Sequence, residues 1–184
     1  MTLGVSALSG SMPLKVVFDG WDTNQISLVR AIAPLAPEQL AFRPGPRLRS
    51  TGELANHISL GRIGWFERMG APGSADLARI AAAWDDERLV VGNAAELVRR
   101  LEVTWRMIDQ TLSQWTVADL ATTYRHTYWG KTYAISRQWT IYRIMAHDIH
   151  HGGELAVLLG VQGIEVPELG DLGGHLTEPP LAET

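Results

Sequence analysis

The chain has 184 residues, 46% apolar and 20% charged, with a net charge of −4 and no cysteine. That length and composition fit one domain able to bury a core, spanning 1–184 with irregular tails at 1–12 and 161–184. Scattered basic residues and a negative balance argue against a nucleic-acid partner, and the missing cysteine removes disulfides, thiolate metal sites and a cysteine nucleophile. The opening "MTLGVSALSGSMPLK" lacks the basic and apolar regions of a signal peptide, and no window supplies the roughly 18 apolar residues of a membrane span. A soluble, cytoplasmic protein is the expectation.

The first predicted helix lies within 13–33, where Leu14, Val17, Phe18, Trp21, Ile26, Leu28, Val29 and Ile32 recur mostly at three- and four-residue spacing. Asp19-Gly20 kinks it or delays its start, and Pro34 and Pro37 close it. The second starts at a capping box, Ser50 with Glu53, and carries Leu54, His57, Ile58, Gly61 and Trp65 on one stripe until "GAPGS" at 70–74. Residues 75–92 are mixed, with a short helix around 75–84 as one reading. The third helix begins near Asn93, with Glu96 completing a second capping box. Leu97, Leu101, Trp105, Ile108, Leu112 and Trp115 form its inward stripe. Residues 116–135, rich in Thr, Tyr and Trp, read as a small hairpin or an extended excursion. The fourth helix runs from about Ser136 to Leu159, with Gly160 as its stop. Four long helices without a dominant strand pattern predict an all-α, antiparallel four-helix bundle. In it Leu54, Ile58, Trp105, Ile108, Leu155 and Leu158 are buried.

Three of the six histidines fall in "HDIHHGGEL", 147–155. On a helix with His147 at zero, His151, Glu154 and His150 fall at about +40°, −20° and −60°. His147 and His151 are thus one turn apart on a face that Leu158 continues, the spacing that lets two imidazoles share one metal ion. A third ligand must come from a facing helix, and His57 is the only histidine within another predicted helix. Three neutral imidazoles suit zinc, nickel, iron or copper, and not magnesium or calcium. Each histidine taken alone is more often a core residue than a ligand; their shared inward placement favours the site. His150 is expected at the pocket rim or the interhelical seam, Glu154 as an acceptor for a ligand imidazole or a general base, and His126 and His175 on the surface. The sequence is not a zincin, since Asp148 stands where His-Glu-x-x-His needs glutamate. It also lacks the paired Glu-x-x-His of carboxylate-bridged di-iron bundles.

The segments "WDTNQISLV", "LAPEQLAFRPGP", "STGELANHI" and "IMAHDIHHGGELAVLLGVQGIEVP" resemble the DinB/YfiT-like metal-binding four-helix bundle proteins over most of the chain. The resemblance implies an up-down-down-up bundle, often a homodimer, with His57, His147 and His151 holding a divalent metal. Glu154 departs from the family, which often has glutamine there. The resemblance also implies an activity class, the transfer of a low-molecular-weight thiol to an electrophile. Three protein ligands leave a metal open to a small-molecule substrate, and a metal can lower a thiol's pKa. A hydrolase activating water, or a non-catalytic stress-related metal-binding protein, would carry the same residues.

Overall fold

The computed structural model describes residues 11–84, 92–166 and Leu169. Among them seven α-helices and one hairpin follow in the order α1 (Leu14–Val17), α2 (Trp21–Ile32), α3 (Pro37–Ala41), α4 (Thr51–Arg68), α5 (Ser74–Ala81), α6 (Ala94–Gln114), β1 (Thr123–Tyr128), β2 (Lys131–Ser136) and α7 (Arg137–Val161). The first predicted helix is therefore two. Gly20 adopts φ +91°, which a side-chain-bearing residue rarely takes, and α2 starts just after it. In the 75–92 segment, α5 and a 3₁₀ turn at Ala82–Trp84 account for the first part. The remainder, 85–91, lies outside the described residues.

The expected box at the start of α4 is made. Ser50 Oγ accepts from the Glu53 amide at 3.2 Å, and Glu53 Oε2 accepts from the Ser50 amide at 2.9 Å. At α6 only the Asn93 half appears, with Oδ1 accepting from the Glu96 amide at 3.1 Å. The Glu96 carboxylate is drawn to Arg99 and Arg100 at 2.6 and 2.9 Å instead, which lowers its pKa to about 2. Gly160 does not end α7. The helix continues to Val161 and closes on Gly163, at φ +75°, with Ile164 N–H donating to Leu159 C=O and Gly163 N–H to Gly160 C=O, both at 2.9 Å. This pair of bonds is a Schellman closure, which needs the left-handed residue that glycine supplies.

The strictly all-α class is corrected by the antiparallel β1–β2 pair, in register from Thr123↔Ser136 to Tyr128↔Lys131, which is the small hairpin that was one of the two readings of 116–135. Its two-residue loop, Trp129-Gly130, has positive φ at both positions (46° and 72°), as the twist of a tight hairpin demands.

Four helices carry most of the packing: α4 lies against both α6 and α7, and so does α2. Side-chain contacts give their directions. Gln162 reaches Thr51 at 3.2 Å while Trp65 meets Trp139 at 5.5 Å between ring centroids, so α4 and α7 run antiparallel. Trp21 bonds Asp148, and Leu28 packs near Gly152, so α2 and α7 run parallel. One apolar cluster joins Leu28, Ile32, Leu54, Ile58, Leu97, Leu101, Leu155 and Leu159; a second joins Leu14, Trp21, Phe66, Ile108, Leu112, Ile141 and Ile144. Of the six residues expected in the core, five are buried and Trp105 is half-buried, its ring edge-on to Trp21 at 5.8 Å. Leu169 is also buried, in the first cluster beside Gly152. The chain after α7 thus returns to the core there, within a stretch expected to be an irregular tail. No described helix is long and apolar enough to cross a membrane.

Candidate metal centre

His57 projects from the middle of α4, and His147 and His151 project from successive turns of α7. Their ring nitrogens lie within 4.8 Å of one another. His57 Nε2 and His147 Nε2 are 3.3 Å apart, and the three ring centroids are separated by 4.4–5.0 Å. Two imidazole nitrogens facing at that distance either share a proton or both turn a lone pair toward a cation. The donor set is entirely nitrogen, so it fits a borderline transition metal and not a hard oxygen-seeking ion.

Burial prepares His57 and His151 to be neutral. Burial is the largest influence lowering the His57 pKa from 6.5 to about 4, with the Arg49 charge and the two neighbouring histidines acting in the same direction. His151 is also lowered by burial, against an opposing pull from Glu154. Glu154 Oε2 sits 2.6 Å from His151 Nδ1, which fixes that nitrogen as the proton donor and leaves Nε2 free to bind a metal. Burial works against the Glu154 carboxylate, but the bond to His151 and the charges of His150 and Arg49 outweigh it and lower its pKa. The glutamate side chain is 46% exposed, not enclosed among the ligands, and His150 stands at the rim at 67% exposure, 3.3 Å from it.

Two features of the site are absent from the sequence reading. Gly61, one turn from His57, provides the space that the His147 ring fills: a Cβ there would lie 2.7 Å from His147 Cε1 and 2.9 Å from Nε2. Gly61→Ala is accordingly expected to displace that imidazole and weaken metal binding by ten-fold or more with the fold intact, measured by competition against a chromophoric chelator. The second feature is Asp148, which is fully buried. Asp148 Oδ2 accepts from Trp21 Nε1 at 3.0 Å and Arg62 Nε at 2.9 Å, and pairs with Arg62 Nη2 at 2.8 Å. Arg62 Nη1 in turn reaches Gln25 Oε1 at 2.7 Å and Leu101 C=O at 3.2 Å. One signal was present: Arg62 follows Leu54 and Ile58 at four-residue intervals, a cation on an apolar stripe that needs a buried partner.

Two cavities flank the histidines along α7. Beyond them, Arg43, Arg47, Arg49, His150, Glu154 and Val157 are among the residues lining an open groove of about 930 Å³. Before them, an aromatic cavity of about 540 Å³ lies between the hairpin and the α4–α7 pair. His126, expected on the surface, is half-buried there against Trp65, with centroids 5.5 Å apart. His175 lies outside the described residues.

A mostly helical fold that converges three imidazoles from two antiparallel helices defines a candidate metal-binding helical protein. A sequence profile of the DinB superfamily matches residues 21–155, and the chain belongs to that superfamily. The crystal structure of a DinB-like protein from Bacillus cereus ATCC 10987 has a similar fold, with a TM-score of 0.62 at 20% identity, covering 80% of this chain and 91% of that one. No curated protein gives a significant match.

Proposed function

We propose that this protein is a metal-dependent enzyme that activates a low-molecular-weight thiol for transfer to an electrophile. In this reading α2, α4, α6 and α7 are the four helices of an up-down-down-up bundle, and the protein works as a cytoplasmic homodimer. His57, His147 and His151 would hold a divalent transition metal through their Nε2 atoms. The metal would supply Lewis acidity that favours the thiolate form of the thiol at neutral pH.

The observation that carries the reading is the arginine-lined groove beside the imidazoles. Its breadth and positive charge suit an anionic thiol of peptide or sugar-conjugate size. Arg47 and Arg49 supply that charge. Arg43 is committed to Glu53 and to the Leu48 carbonyl. Glu154 holds His151 in the tautomer that presents Nε2, and its exposed position at the groove allows it to take the thiol proton. A hydrolase activating water would have less use for the two arginines that charge the wall.

Elemental analysis of the purified protein, followed by a panel of anionic and neutral thiols with a generic electrophile, tests the proposal. The expected result is near-stoichiometric transition metal and turnover with an anionic thiol. Turnover of an ester with no thiol dependence would move the assignment to a hydrolase. Metal without turnover of either kind would leave the non-catalytic reading. Glu154→Gln keeps the shape but removes the charge; it is expected to weaken metal binding by about ten-fold through His151 and to lower thiol turnover by about ten-fold or more. Unchanged metal affinity and turnover would show that the carboxylate has no chemical role.

A further inference from the structure

We infer that the cavity under the hairpin is a binding site for a planar aromatic acid. Its walls come from three elements: Trp65 on α4, His126, Tyr128 and Tyr133 on the hairpin, and Trp139 and Arg143 on α7. The rings pack on one another into a continuous aromatic wall. Trp65 stands edge-on to His126 at 68° and is tilted 59° from Trp139, with centroids 5.5 Å apart in both pairs, while His126 and Tyr128 stack at 26°. A volume of about 540 Å³ lies in the range of small-molecule sites and matches one- or two-ring ligands.

The charge comes from Arg143. Its guanidinium lies over both Trp65, at 4.9 Å, and Trp139, at 5.3 Å. Arg68 approaches Trp65 as well, at 5.1 Å. Among the described residues, no carboxylate lines the cavity. A guanidinium held by ring faces keeps its in-plane donors free, in the fork geometry that receives a carboxylate in bidentate fashion. The aromatic wall therefore takes the ligand's apolar body and Arg143 takes its acid group. A neutral or cationic aromatic would leave that donor fork unused.

Position gives the site a meaning. Arg143 is one turn before His147 on α7, and Trp65 is two turns after His57 on antiparallel α4, so the cavity is about 6–12 Å along the helices from the imidazoles. The arginine-lined groove lies on the other side of them. A bound aromatic acid would therefore lie beside the imidazoles, opposite the groove, where a second substrate would sit. That role rests on the thiol-transfer reading above, while the binding itself does not.

The probe pair is 2-naphthoate and its neutral counterpart 2-naphthalenemethanol, titrated by calorimetry into metal-loaded protein and into His57→Ala. The expected result is saturable 1:1 binding of naphthoate, at least ten-fold tighter than the alcohol, with the same affinity in His57→Ala. Arg143→Gln should abolish the preference for the acid, and Trp139→Ala should weaken both ligands by ten-fold or more. Both side chains are exposed, and unchanged melting temperatures would show the variants folded. Absence of saturable binding at millimolar ligand would overturn the site. So would loss of binding in His57→Ala, which would place the carboxylate on the metal, or equal affinity for acid and alcohol. Weaker binding in Trp139→Ala that tracks a change in oligomeric state by light scattering would reassign the aromatic face to a subunit contact. Naphthoate binding in a protein that shows no thiol turnover with any electrophile would leave the site standing and remove only its role as a second-substrate site.

Discussion

Asp148→Ala is expected to destabilise the protein by about 3–5 kcal/mol, because it leaves the Arg62 guanidinium uncompensated in a fully buried position. At roughly 2–4 °C per kcal/mol for a chain of this size, the melting temperature should fall by about 6–20 °C. Trp21 Nε1 loses its acceptor in the same step. Replacing both charges, as Arg62→Met with Asp148→Leu, should recover much of the loss, since an apolar pair of similar volume has no desolvation penalty to offset. Recovery should be incomplete, because Gln25 also loses its partner. Urea and thermal melts of the single and double variants separate these terms; a cost below about 1 kcal/mol for Asp148→Ala would show that the pair contributes little. The ion pair also has a geometric consequence. It pins the α7 residue next to His147 to the α4 residue five positions after His57. Rotation of α7 about its axis would break it, so the pair fixes the face on which His147 and His151 meet His57.

The parts of this architecture that were legible in the sequence depend on local rules. The capping box of Ser50 and Glu53, the three- and four-residue apolar spacing of α4, α6 and α7, and the i, i+4 histidines are each visible within a few residues. The facing of His57 could be inferred because its stripe neighbours Leu54 and Ile58 are core residues. What was missed depends on distant partners. Gly61 is an ordinary small residue until the His147 ring, from another helix, takes its space. Asp148 looks like a failed catalytic glutamate until Arg62 and Trp21 close around it. Glu96 fits a capping box by spacing, yet Arg99 and Arg100 compete successfully for its carboxylate. Gly160 and Gly163 are equally good helix stops on paper; the seat for Ile164 against the apolar core favours the later one. Residues 116–135 allow two readings because polar and aromatic residues are mixed there, and the half-buried face of β1, Tyr124 and His126, forms only against α4 and α7.

His57→Ala is expected to reduce bound metal to background in the purified protein, a larger effect than any change of affinity at Gly61 or Glu154, because two imidazoles on one helix cannot by themselves enclose an ion held between two helices. The fold should survive, since His57 is only half-buried and the apolar clusters do not include it. The pH dependence provides an independent readout. The folded His57 pKa is about 4 against 6.5 in the unfolded chain, so between those values the unfolded state binds more protons. The stability of chelator-treated protein should therefore rise with pH from about 4 to 6.5 and fall as the pH is lowered through that window. The His57 contribution is on the order of 3 kcal/mol at its upper bound. His57→Ala, also metal-free, should show a shallower slope over the same window. In the metal-loaded wild type, His57 should compete poorly for protons above about pH 5, so its share of the affinity should be flat from pH 8 to 6. Elemental analysis and urea melts at stepped pH measure both effects. Stoichiometric metal in His57→Ala would remove this residue from the ligand set, whereas parallel pH slopes in the two apo proteins would show that its imidazole is not held neutral by burial.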